Sequence, residues 1–137
     1  ILMGPSVPDP HTVVVTHASD AGPRAIQEPG MFHRDTAYCA SILNDHYERF
    51  GVDYVGEWHS HTIPLHQPSS GDLATIAAIM HDPDYAFTAF GLLIVVHESE
   101  QMSSGIDVFG YVALRNVLVR VAVEITEGSK GEWAESP

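Results

Sequence analysis

Residues Gly56–Asp72 read GEWHSHTIPLHQPSSGD, and the rest of the chain is understood from this stretch. Its first part reads as an extended segment. His59 and His61 are one residue apart, and on a strand such residues project to the same side. A short loop containing Pro64 and Pro68 follows. Ser69-Ser70-Gly71-Asp72 then opens a helical pattern that continues through Leu73, Ile76, Ala77 and Met80. Ser-x-x-Asp at such a place is also an ordinary capping signature. A strand end followed by a helix start brings two imidazoles toward one carboxylate. Two nitrogens and one oxygen, with a fourth place left for water, make the donor set of a catalytic zinc site, whereas a closed structural site needs four protein ligands.

The spacing His-x-His, seven residues, Ser, two residues, Asp resembles the metal motif of the JAMM/MPN+ family, the Jab/Mov34/PAD zinc isopeptidases. His59, His61, Ser69 and Asp72 occupy all four motif positions, and the Pro68-Ser69 pair matches the usual form. Thr62 stands where the family commonly has proline, a departure in the loop and not at a ligand. Thr16 to Phe32 (THASDAGPRAIQEPGMF) and the following His33-Arg34-Asp35 are similar to a bacterial subgroup of that family.

The resemblance implies an α/β fold: the MPN domain, a mixed curved sheet flanked by helices, similar to the deaminase core. It implies one domain over residues 1–137, with 126–137 a flexible tail. It implies Zn²⁺ held by His59, His61 and Asp72, with Ser69 hydrogen bonding to the developing oxyanion or to the metal's water. Zinc so held lowers the pKa of water toward neutrality. The implied reaction is hydrolysis of an isopeptide or peptide bond after the C-terminal glycine of a ubiquitin-like modifier. The implied partners are that modifier's C-terminal tail and proteins similar to activating or conjugating enzymes. The family's general base is a glutamate just before a Gly-Gly-x-Leu-x-Gly-like segment. Ile1-Leu2-Met3-Gly4 resembles the tail of that segment, so the matching glutamate is expected upstream of Ile1. A non-catalytic MPN scaffold or interaction module is the alternative. The intact ligands count against it, and the unassigned glutamate counts for it.

Glu57 shares a strand face with His59 but lies roughly 6.6 Å along the strand from it. It reads as a residue supporting the ligands or facing substrate, set against a structural salt bridge. Trp58 points the other way, toward the core. Cys39 reads as a small buried residue, and His46 as a packed side chain on a helix rather than a ligand.

Composition bounds the remaining choices. At 137 residues and 45% apolar content, the chain is large enough for one domain with a core of its own. A single cysteine excludes an internal disulfide framework and fits a reducing compartment, so a cytoplasmic location is expected. The same lone cysteine argues against a zinc deaminase, whose nucleotide site needs more thiolates. The net charge of -12 repels nucleic acid and favours a basic partner. No run is long enough to cross a membrane. Asp84, Glu98, Glu100 and Asp107 are the acidic candidates for a groove that receives a basic tail.

In chain order, His11–His17 reads as a strand and Ala18–Pro29 as a loop. Thr36–Phe50 reads as a helix capped by Asp35 and stopped by Gly51, with Tyr38, Ile42, Leu43, Tyr47 and Phe50 on one apolar face. Val52–His61 is a strand, and Ser69–His81 a helix ended by Asp82-Pro83. Thr88–His97 is a nearly continuous apolar strand, expected at the sheet centre and covered on both faces. Ile106–Val112 and Val117–Ile125 are further strands.

Overall fold

In the computed structural model, residues 1–6, 11–28, 31–61, 65–97 and 105–127 are described. The strands are β1 (Leu2–Gly4), β2 (His17–Ala18), β3 (Ile26–Glu28), β4 (Met31–His33), β5 (Asp53–His61), β6 (Phe90–His97), β7 (Ile106–Leu114) and β8 (Val117–Val121). Helix α1 (Thr36–Phe50) precedes β5, and helix α2 (Ser70–His81) joins β5 to β6. The main sheet has six strands in the order β2-β1-β5-β6-β7-β8, while β3 and β4 form a separate hairpin. Only β5 and β6 run parallel, from Gly56 opposite Gly91 to His61 opposite Val96. A parallel neighbour requires a crossover, and α2 supplies it. Among the described residues, no helix is long and apolar enough to cross a membrane.

The central strand is β6, as its composition requires. Phe90, Leu92, Ile94 and Val96 are fully buried and pack with Ile76 of α2 and with Tyr111 and Ala113 of β7. Its other face is less covered than expected. Leu93 and Val95 are half-buried, because α2 packs on one face only and an irregular segment carrying Val13 lies over Gly91 on the other. A second cluster joins Ile1, Met3 and Val52 to Cys39, Tyr38, Ile42 and Leu43 of α1, and Tyr54 touches both clusters.

Helix α1 begins and ends where its sequence signals. Asp35 caps it by accepting from the Tyr38 N–H at 3.1 Å, and Gly51 closes it with a left-handed φ of 66°. Arg24 donates to both Asp35 oxygens, at 3.0 and 3.3 Å, and so ties the preceding loop to the helix start. The apolar face is shorter than the heptad spacing suggests. Tyr47 and Phe50 are exposed, since the last helical turn runs beyond the second cluster. The His17 ring stacks on Phe50 with centroids 4.8 Å apart, and His46 packs beside it.

Several boundaries differ from the sequence reading. The β-branched run His11–His17 pairs as a strand only at its end, because β1 occupies the adjacent place against β5. The loop expected over Ala18–Pro29 contains β2's end and the first strand of the β3–β4 hairpin. β7 continues to Leu114, and β8 stops at Val121 rather than Ile125, which is exposed. Glu98, Glu100 and most of the tail expected at 126–137 lie outside the described residues.

The β5–β6 pairing needs glycine at its start. A Cβ on Gly56 would lie 2.5 Å from the Gly91 carbonyl oxygen, a backbone atom that cannot swing aside. Gly56→Ala therefore lowers stability by about 1–3 kcal/mol, read from the urea midpoint at constant slope. An unchanged midpoint would show that the two strands separate freely at this point.

Candidate metal centre

The site forms where β5 ends and α2 begins, outside the carboxyl end of a parallel strand pair, the usual ligand position in open α/β sheets. A bulge shapes the strand leading to it. Leu2 pairs with Gly56 while Met3 pairs with Tyr54, so Val55 is an extra residue on β5. The bulge brings Tyr54 to the side of Glu57, and the Tyr54 hydroxyl donates to the Glu57 carboxylate. His59 and His61 follow on that same side by alternation.

Asp72 gathers the site. His59 Nδ1 lies 2.5 Å from Asp72 Oδ1, and His61 Nε2 lies 3.3 Å from Asp72 Oδ2. Asp72 also accepts the Ser69 N–H at 2.7 Å, while the Ser69 hydroxyl oxygen accepts the Asp72 N–H at 3.1 Å. This is a complete capping box. It locks the carboxylate in the first turn of α2, where the helix dipole favours negative charge. The Ser69 hydroxyl thus accepts the Asp72 N–H and also bears on the Asp72 carboxylate.

Burial pushes the Asp72 carboxyl up, but the His59 hydrogen bond and the Ser69 N–H and hydroxyl outweigh it and hold the group well below the usual carboxylate range. A depressed folded-state value adds stability that is fully present above the unfolded pKa, about 4. That stability is lost as pH falls through the folded value. In chelated protein, Asp72→Asn should therefore flatten the acid limb of the stability–pH profile below about pH 4. Parallel limbs for the variant and the parent would contradict this.

The His61 ring has a defined tautomer. Its Nδ1 lies 3.1 Å from the Leu65 carbonyl oxygen, which can only accept, so Nδ1 carries the hydrogen. In the neutral ring Nε2 is then a lone pair, and it faces the carboxylate oxygen of Asp72. Two acceptors facing each other at this distance attract a cation between them. The Phe32 ring of the β3–β4 hairpin stands beside the site, 5.9 Å from the His59 ring centre.

Glu57 is buried, and it accepts from Arg34 as well as from Tyr54. Burial lowers the Arg34 pKa, but the Glu57 and Tyr54 contacts outweigh it and raise the guanidinium further above its ordinary value. Burial and then the Glu57 charge push the Tyr54 hydroxyl up, so it stays protonated as a donor. Among the described hydrogen bonds, none joins Glu57 to His59, His61 or Asp72. Trp58, expected in the core, is half-buried, and its Nε1–H donates to the Ser19 carbonyl at 2.8 Å.

Among the described residues no three donors are already spread around a common point, because the two imidazoles are closed directly onto the carboxylate. The chemistry of the donor set, two imidazoles and a carboxylate, nevertheless suits zinc. Tetrahedral ligands at the usual bond lengths of roughly 2.0–2.2 Å stand about 3.3 Å apart. The His61–Asp72 separation is already 3.3 Å, and the His59–Asp72 contact needs to open by less than an atom's width. His59, His61 and Asp72 are the residues that would hold the metal.

A mixed α/β sheet with two helices, and a His-x-His strand end facing the first turn of the crossover helix, define a JAB/MPN-type domain. The model of the family described as prokaryotic homologs of the JAB domain matches residues 1–107. The chain belongs to that family. No curated protein and no solved structure matches it.

Proposed function

We propose that this domain is a zinc metallopeptidase that hydrolyses an isopeptide or peptide bond after the C-terminal glycine of a ubiquitin-like modifier. The observation that carries this reading is the fixed His61 tautomer. The Leu65 carbonyl holds the ring so that, in its neutral form, a lone pair faces Asp72, which suits a cation ligand. When bound, zinc there supplies a Lewis acid that makes water nucleophilic toward an amide carbonyl near neutral pH. His59 and His61 supply nitrogen donors, and the capping box keeps Asp72 ionised and oriented. Ser69, at the helix start, turns its hydroxyl from Asp72 to donate to the oxygen that gains charge as the carbonyl is attacked.

Strand direction is compatible with the general base that the resemblance implies. β1 runs antiparallel to β5, with Leu2 opposite Gly56. Residues preceding Ile1 in a longer chain would run along β5 past Trp58 toward His59 and His61. The glutamate that the family resemblance places upstream would arrive beside the ligands. The acidic balance of the chain suits a basic modifier tail, and activating- or conjugating-type enzymes are partners compatible with that substrate.

The second reading is a non-catalytic interaction module, and one observation favours it: His59 Nδ1 and Asp72 Oδ1, 2.5 Å apart, already satisfy each other. A cleavage assay separates the two. The protein should cut a fusion placed after the terminal glycine of a ubiquitin-like protein. A chelator should stop the reaction, and added zinc should restore it. Hydrolysis that persists after complete metal removal contradicts the proposal, and no hydrolysis by the zinc-loaded protein favours the module.

A further inference from the structure

A second cavity, of about 490 Å³, opens at the other end of β5, where β5 and β6 begin. That volume is in the range of small-ligand pockets. From Tyr54 to Ser60 along β5 is about 20 Å, so the cavity is separate from the metal centre. Its walls are aromatic and acidic: Tyr47, Tyr54, Tyr85 and Phe87, with the carboxylates of Asp53 and Asp84.

The rings are arranged as a platform. Tyr85 and Phe87 stack with centroids 5.4 Å apart and planes 14° from parallel. Tyr54 meets both edge-on, at 6.0 and 5.7 Å, and is itself held by Phe90 at 5.1 Å. Tyr47 and Tyr85 nevertheless remain about half exposed, at 59% and 49%. Ala86, between the stacked rings, has a φ of 50°, the left-handed region that a residue with a Cβ avoids.

The charges are unbalanced. The described ion pairs of arginine with carboxylate are Arg24–Asp35, Arg34–Glu57 and Arg49–Asp45. Asp53 and Asp84 belong to no ion pair among the described residues. Asp53 accepts the Ser6 hydroxyl, and the Asp84 N–H is turned back to Asp82 at 2.9 Å. Flat π faces beside two carboxylates in no ion pair among the described residues fit a planar cation that stacks and hydrogen bonds in one plane. A guanidinium does both, whereas an ammonium is a strongly hydrated point charge.

We propose that this cavity is a guanidinium-binding site, with Tyr85 and Phe87 stacking on the cation and Asp84 and Asp53 accepting its N–H groups. The guanidinium is carried either by an arginine of a partner protein or by a free small molecule. The chain is titrated with N-acetylarginine amide while its aromatic ¹H–¹³C NMR signals are followed. Saturable upfield shifts of ligand protons and shifts of Tyr85 and Phe87 are expected. Asp84→Asn and Tyr85→Ala should each weaken binding by about tenfold, the scale of a charge-assisted contact. Glu124→Gln, an equal charge change on an exposed residue far along the chain, should not. Asp84→Asn lies in an exposed turn and keeps the fold, so its result stands if Tyr85→Ala unfolds. A peptide with arginine in its middle that binds more tightly than the amide assigns the cation to a protein, and equal affinity assigns it to a small molecule. The proposal is overturned by a non-saturating response, by equal weakening in Glu124→Gln, or by N-acetyllysine amide binding as well as the arginine probe.

Discussion

Replacing His61 by alanine should abolish zinc-dependent cleavage and weaken zinc binding by more than about 100-fold, beyond what loss of an outer hydrogen-bond partner costs. The reason lies in what each ligand does besides facing the metal. Asp72 also closes the capping box of α2, so changing it confounds metal loss with helix loss. His61 has no such second duty. Its ring touches the Leu65 carbonyl and the Asp72 carboxylate, and its side chain is 14% exposed at the end of a strand. The variant should keep its far-ultraviolet circular dichroism while a competition titration with a zinc chelator shows the lost affinity. A His61→Ala protein that binds zinc like the parent would remove this residue from the site.

Arg34→Ala should destabilise the fold by about 3 kcal/mol, the lower end of the cost of breaking a buried ion pair. Glu57 is 6% exposed and Arg34 24% exposed, so truncation leaves a carboxylate that water barely reaches. The lower end applies because the Tyr54 hydroxyl still donates to Glu57. Pairing the change with Glu57→Gln should recover most of the loss, since the charge that lacks a partner is then gone. The double-mutant cycle in urea measures this coupling. A loss under about 1 kcal/mol, or no recovery in the double variant, would show that the pair is solvated like a surface bridge. The pair matters to the site because Glu57 lies on the strand that presents His59 and His61.

The meeting of His59, His61 and Asp72 was legible in the sequence because all three come from local signals. Strand alternation puts His59 and His61 on one side, and Ser69 with Asp72 writes a helix start. α1 was legible for the same reason, with Asp35 and Gly51 marking its ends. The surroundings of the site were hidden because they depend on long-range placement. Leu65 acts through its carbonyl, which no side-chain pattern announces. Tyr54 and Glu57, three apart, should face opposite ways on a regular strand, and the bulge that reunites them is visible only in the pairing with β1. Arg34 sits in the His33-Arg34-Asp35 lead-in that carries the subgroup resemblance, but the partner that fixes its role is 23 residues away. β3 was read as part of a loop because it is three residues long, too short for alternation to speak.

Zinc K-edge absorption spectroscopy of protein loaded with one equivalent of metal tests the central claim most directly. The account predicts a four-coordinate site with two imidazole nitrogens and low-atomic-number oxygen neighbours at roughly 2.0–2.2 Å, changed by His61→Ala. A spectrum dominated by a sulfur neighbour near about 2.3 Å would place the metal at Cys39, and an unchanged spectrum in His61→Ala would place it away from β5. Either result would contradict the account.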